Sequence, residues 1–243
     1  MRNQFFGNRD EYLKYGLLRF LAENGISLFV NWYLTPDEGA PETAGTEYLS
    51  EVKYWKHDPE LYRRLKEFVQ MENLRDVRLL EDADLFPNTR FYRQLLTLDL
   101  SRTKAERDRL REAWHNGAVM ECDGRDLAFL DPDNGLRDSV PRMVKDGIRY
   151  AFASEAADYF DFRSDLLYTC PRSRRTEAQW DSAKRVMKKR LPEASSFAVT
   201  TKTGSQRSYV FVVRPDHRDR YLNLVDNFLH TSWGDFFALE TIV

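Results

Sequence analysis

The feature that most limits what this chain can fold into is its alternation of short, uninterrupted apolar runs with longer amphipathic segments. "ISLFVNWYL" (26 to 34), "DLAFLDP" (126 to 132) and "DLLYTCP" (165 to 171) are short and apolar on consecutive positions. That pattern fits strands buried on both faces of a sheet. Between them lie segments of helical period. "EYLKYGLLRFLAENG" (11 to 25) gathers Tyr12, Tyr15, Leu18 and Leu21 near one face and closes on Gly25, a usual helix stop. "DPELYRRLKEFVQMEN" (58 to 73) opens with Asp58 as N-cap and Pro59 in the first helical position. Further helices are expected at 103 to 117, stopping at Gly117, at about 138 to 147, at 176 to 191 and at 216 to 233. Further strands are expected at "VRLLE" (77 to 81), "RQLLTLDL" (93 to 100) and "RYAFAS" (149 to 154). "SSFAVTTKTGSQRSYVFVVRP" reads as a hairpin-like pair and "DFFALETIV" as a last strand. Strands alternating with helices predict an α/β fold: a Rossmann-like, mostly parallel sheet with an antiparallel terminal strand and helices on both faces. We read one domain over 1–243, with a small helical insertion or lid at about 50–76.

Charge sets the next limit. With 37 Lys and Arg against 39 Asp and Glu, the net charge is -2, so no whole-chain basic field exists to hold a polyanion. Contact with RNA or DNA would have to use a local patch. Arg172, Arg174, Arg175, Arg185, Lys188, Lys189 and Arg190 form such a basic stripe, although stripes of this kind are often solvated helix faces. Cys122 and Cys170 lie far apart and outside any C-x-x-C spacing, which suggests neither a disulfide framework nor a zinc site. His57, His115, His217 and His230 show no metal-ligand spacing; His230 near Asp235 is a weak candidate base. The first residues carry no apolar signal region, and no run approaches the ~20 apolar residues of a membrane helix. A reducing cytoplasm and no membrane partner are expected.

In a parallel sheet, ligands bind where strand carboxyl ends and loops gather. Two such ends are acidic here: Asp37 and Glu38 in "LTPDEGA", and Asp131 and Asp133 in "FLDPDNG". Two like charges ~4 Å apart repel by about 4 kcal/mol at an effective dielectric of 20, so converging loops would need a cation, a proton or a cationic ligand. One reading places Mg2+ or Mn2+ on Asp37, Glu38, Asp131 and Asp133, with a water as nucleophile, in a phosphodiesterase or nuclease. The plainer reading is that Asp-Pro and Asn-Gly form a solvated turn.

Longer stretches bring a resemblance. "GNRDEYLKYGLLRFL" resembles the Gly-Asn-x-x-Asp-x-x-Lys-His opening of the J-type 23S ribosomal RNA adenine-N6 methyltransferases, class I enzymes that use S-adenosylmethionine (SAM). Asn8, Asp10 or Glu11, and Lys14 match, with Tyr15 in the place of the family's His. Glu47, Tyr48 and Leu49 match its Gly-Glu-Tyr-Leu run, Asp99 falls at its second cofactor strand, and "DLAFLDPDNG" stands where the family has Asp-Pro-Pro-Tyr.

The resemblance implies a class I methyltransferase sheet and a SAM-dependent enzyme acting on a base amine of RNA or DNA. By that reading Asp131 and Pro132 accept from the target amine. Asp133 and Asn134 replace the family's second proline and stacking aromatic, a stacking role that Tyr33, Trp32 or an aromatic from the lid would have to supply. Lys14, Asp37, Glu38, Gly39 and Asp99 would hold SAM, although "TPDEGA" offers only Gly39 for close backbone approach. Asn8, Tyr15, Tyr33 and Arg207 would face the substrate. A third reading keeps the fold without catalysis, as a module that binds a nucleotide, nucleic acid or protein partner.

Overall fold

The structure, a computed structural model, describes residues 1–39, 45–138, 142–173 and 175–242. Nine strands form among these residues: β1 (Leu28–Asn31), β2 (Thr89–Tyr92), β3 (Leu127–Leu130), β4 (Leu136–Arg137), β5 (Ala151–Phe152), β6 (Asp165–Pro171), β7 (Ser195–Thr201), β8 (Arg207–Val213) and β9 (Phe237–Thr241). Seven make one sheet in the order β2-β1-β3-β6-β8-β7-β9, and β4 pairs with β5 outside it. β2, β1, β3 and β6 run parallel. β8 runs against both β6 and β7, and β9 against β7. The fold is therefore Rossmann-like and mostly parallel, with the last strand antiparallel as expected and β8 reversed as well.

The helices are α1 (Arg9–Glu23), α2 (Val52–Trp55), α3 (Pro59–Lys66), α4 (Val77–Glu81), α5 (Lys104–Glu121), α6 (Ala153–Asp161), α7 (Glu177–Lys184) and α8 (Arg218–His230). Strand alternation divides the core into two. Leu28, Val30, Leu127 and Phe129 point into a cluster with α1, α3 and α8, while Phe29, Ala128 and Leu130 point into another with α5, α6 and Trp180 of α7. Every residue of β1 and β3 is buried, which is why these strands read as continuous apolar runs rather than alternating ones.

Several helix boundaries follow local chemistry. Asp58 caps α3 by accepting from the Leu61 amide at 3.0 Å, with Pro59 in the first turn. Thr103 and Glu106 close a capping box on α5. Gly117 does not stop α5, which continues to Glu121; a Cβ there would sit 2.9 Å from the Tyr92 hydroxyl, so this glycine serves close packing.

Other expectations are corrected. "VRLLE" is helix α4, because Asp76 accepts from the Arg78 amide at 3.0 Å and Asn3 from the Val77 amide at 3.0 Å. A five-residue apolar run has no period long enough to separate helix from strand. The strand expected at 93–100 lies at Thr89–Tyr92 instead: β2 pairs with β1 only as far as Asn31, after which β1 leaves the sheet and residues 93–100 have no strand to join. Of the helix expected at 138 to 147, residues 139–141 lie outside the described residues, and the rest forms turns leading to a 3-10 turn at Gly147–Arg149. The helix of this region is α6, starting inside the segment read as a strand; Ala153, Ala156 and Tyr159 bury one side of it. The segment 176 to 191 breaks at Arg185 into α7 and a 3-10 turn, Val186–Lys189.

A mixed-charge pocket at the carboxyl ends of β1 and β3

β1 lies between β2 and β3, so the chain's crossovers part at its carboxyl end, where doubly wound sheets open a crevice. Asn31 ends β1 and turns the chain: its Oδ1 accepts from the Tyr33 amide at 2.9 Å and its Nδ2 donates to the Tyr159 hydroxyl at 3.1 Å. Tyr33 is held left-handed, φ 48°, a strain that costs a bulky residue of order 1 kcal/mol and often marks a site. Its ring turns away from the crevice into the core, 5.0 Å from Trp114. β3 delivers Asp131, Pro132, Asp133 and Asn134 to the same end of the sheet.

These residues border a pocket of about 320 Å³. Of the residues singled out in the sequence, Asn8, Asp131, Pro132, Asp133, Asn134 and Arg207 line it together. Asp10, Glu11 and Arg149 add further charges, and Phe5 an aromatic wall. Sequence reasoning missed Arg149 and Phe5; neither residue sits in a pattern that a periodicity scan detects.

Below the pocket lies a buried ionic cluster. The Lys14 ammonium is fully buried, 2.5 Å from Asp131 Oδ2 and also paired with Glu11. It stands 5.0 Å from the Trp32 ring centroid and 5.4 Å from that of Tyr15. Arg207 Nη1 approaches Glu11 Oε1 at 3.6 Å. Burial alone would raise the Asp131 carboxyl, but Lys14, the Met1 amino group and Arg207 outweigh it and hold it below the usual range. The Asp133 carboxyl is likewise lowered: burial opposes, and the Met1 amino group and Arg2 prevail. Tyr15, wholly buried beside Glu11 and Asp131, is pushed well above the ordinary tyrosine value and stays a phenol.

The residues expected to hold SAM do not form one cradle. Lys14 is sealed under the pocket. Asp37 Oδ1 accepts from the Gln4 amide at 2.9 Å, and Glu38 binds Arg149 at 2.5 Å. Gly39 has nothing within 4 Å of the Cβ it lacks. Asp99 lies beyond the end of β2 on an exposed loop, accepting from Ser101 Oγ at 2.6 Å and pairing with Arg102 at 3.2 Å. The backbone after β1 is also engaged: the Thr35 amide donates to the Met1 carbonyl at 3.0 Å and the Glu38 amide to Gln4 Oε1 at 2.8 Å. As arranged, these side chains do not converge on one SAM site, and the Thr35 and Glu38 amides already have partners.

The metal arrangement meets a similar obstacle. Asp131 pairs with Lys14, Asp133 with Arg2 at 3.1 Å, Glu38 with Arg149, and Asp37 with a backbone amide. Among the described residues, no group of three or more His, Cys, Asp or Glu side chains is placed to hold a metal ion. Neither substitute aromatic faces a ligand: Trp32 is buried, with its Nε1 donating to Glu81 at 2.7 Å, and Tyr33 is packed as above. His230 meets Asp226 rather than Asp235. Arg174 lies outside the described residues; Arg172 pairs with Glu177 and Arg190 with Asp138, so the basic stripe is partly neutralised.

No family model and no curated protein matches the chain. Among solved structures, it is similar to a protein from Legionella pneumophila str. Philadelphia 1 assigned to family DUF519. That similarity has a TM-score of 0.45 and 12% identity over 97% of each chain, a level that carries no argument about function. No helix among the described residues is long and apolar enough to cross a membrane.

Proposed function

We propose that this chain is a methyltransferase-like binding protein that uses the strand ends around Asp131 to Asn134 to hold a nucleotide or a nucleic-acid segment, and does not methylate a base amine. One observation carries the reading: the carboxylate that amine methylation would aim at its substrate is already tied to a cation inside the fold. Asp131 Oδ2 is held by the buried Lys14 ammonium at 2.5 Å. The Pro132 carbonyl accepts from the Gly135 amide at 3.2 Å and faces Thr169 Oγ1 at 3.5 Å. Freeing the carboxylate would strip Asp131 of its closest cation and leave the buried ammonium to Glu11 alone, a costly change in a buried cluster.

The charged pocket supports a polar ligand over an apolar one. Arg2, Arg149 and Arg207 line it together with Asp10, Glu11, Asp131 and Asp133, so a ligand there meets both signs. Calorimetry with SAM, together with transfer of labelled methyl groups from SAM to mixed RNA and DNA, tests the proposal. The expected result is neither transfer nor saturable SAM binding. Transfer by the parent that disappears in Asp131→Asn would overturn it in favour of the enzyme.

A further inference from the structure

A larger cavity, about 620 Å³, opens on the other side of Asn134, between the Asn134–Asp138 segment, Tyr150 and one face of α7. Asn134 lines both cavities, so the turn after β3 forms the wall between them. Two guanidinium groups face this second space, from Arg137 and Arg175. Among the described residues neither has a carboxylate partner. Arg175 donates instead to neutral carbonyls, Asn134 O at 2.9 Å and Pro171 O. That fixes its orientation without cancelling its charge. Arg137 lies over the Tyr150 ring, 5.0 Å from the centroid, and its Nη2 reaches the Tyr150 hydroxyl only at 3.5 Å. The nearby acid, Asp138, is paired with Arg190 at 3.3 Å.

We infer that this cavity is a phosphate-bearing site for a nucleoside monophosphate unit, with the phosphate between Arg175 and Arg137 and the base on the free face of the Arg137 guanidinium, backed by Tyr150. Two positive charges without acids match one dianionic phosphate, and a guanidinium has donors to spare after two carbonyls are served. A guanidinium held over an aromatic ring, as Arg137 is over Tyr150, offers a cationic platform on which a base can stack. Gln179 and Ser182 on α7 supply neutral polar groups at the wall. The inference rests on the nucleotide-binding half of the function proposed above and is independent of its claim about methyl transfer.

Titration of the full chain with AMP, adenosine, inorganic phosphate and a ten-nucleotide single-stranded RNA tests it. AMP is expected to bind saturably and more tightly than adenosine, with inorganic phosphate competing. Arg137→Glu should weaken AMP about tenfold or more, equivalent to about 1.4 kcal/mol. Ser182→Trp, a bulky group at an exposed wall position, should abolish binding while the melting temperature stays near that of the parent. If the RNA displaces AMP, the natural source is a strand; if it does not, the source is a free nucleotide, and either result keeps the phosphate site. The inference is overturned if AMP fails to bind the parent, if adenosine binds as well as AMP, or if Arg137→Glu and Ser182→Trp both bind AMP like the parent. Detection of methyl transfer alongside intact AMP binding would remove only the non-catalytic half of the earlier proposal.

Discussion

Lys14 Nζ stands 2.5 Å from Asp131 Oδ2, with the two side chains 0% and 5% exposed. The pair joins α1 to the carboxyl end of β3 across 117 positions of sequence. It neutralises the carboxylate that a methyltransferase would aim at its substrate. The cation comes from α1, the helix that carries the "GNRDEYLKYG" resemblance, so that stretch acts here on Asp131 itself.

Breaking that pair from one side should be costly. Lys14→Met takes the shared cation from Asp131 and Glu11 and should lose roughly 3–5 kcal/mol, whereas Asp131→Leu leaves the ammonium on Glu11 and should lose less. The double variant should recover part of the Lys14→Met loss, because only Glu11, with Arg207 at 3.6 Å, then lacks the ammonium. Urea unfolding of the parent, the two single variants and the double variant measures the coupling. Additive losses would show that the two groups act separately.

A second buried pair sets an acid limit. Arg111 Nε and Nη2 donate to Glu155 at 2.7 and 2.9 Å, and Glu155 also accepts from the Phe152 amide at 3.1 Å. Burial would raise the Glu155 carboxyl, but Arg111 outweighs it and holds it below its ordinary 4.5. A depressed folded value means the stabilisation is fully present above the unfolded pKa and is lost as pH falls through the folded one. Stability should therefore decline below about pH 4.5. Glu155→Gln should be less stable at pH 7 with a shallower acid decline, measurable by urea midpoints from pH 7 to pH 3.

Both thiols should be silent in the native protein. Cys122 and Cys170 are buried and free, and burial pushes each thiol up to about 11. At pH 8 almost no thiolate forms, and none is reachable. Ellman's reagent should detect no fast thiol in the native chain and both in guanidinium chloride. A fast native thiol would contradict this packing.

Gly16 allows α1 to touch the end of the chain. A Cβ there would lie 2.4 Å from two carbons of the Trp233 ring, within a cluster that also holds Tyr12 at 5.1 Å and Phe228 at 6.0 Å from Trp233. Gly16→Ala should cost about 1–3 kcal/mol by overpacking. In a Trp233→Leu background the same change should cost less, which thermal unfolding of the four chains would reveal.

Much of this protein was legible from its sequence because the controlling physics is local. "LFVN" and "LAFL" are apolar on both faces, which places β1 and β3 in the middle of a covered sheet. Asp58-Pro59 starts α3 by a cap that needs only neighbouring residues. Tertiary structure decided what local pattern left open. Whether "VRLLE" coils or extends depended on Asp76 and on Asn3, far away in sequence. Where β2 lies depended on where β1 leaves the sheet, which moved Asp99 from a strand end to an exposed loop. The carboxylates of "LTPDEGA" and "FLDPDNG" were visible as a set, but their partners were not. Lys14, Arg2 and Arg149 arrive from three separate segments, and a charge's effect depends on distance and burial in space, which sequence spacing does not encode.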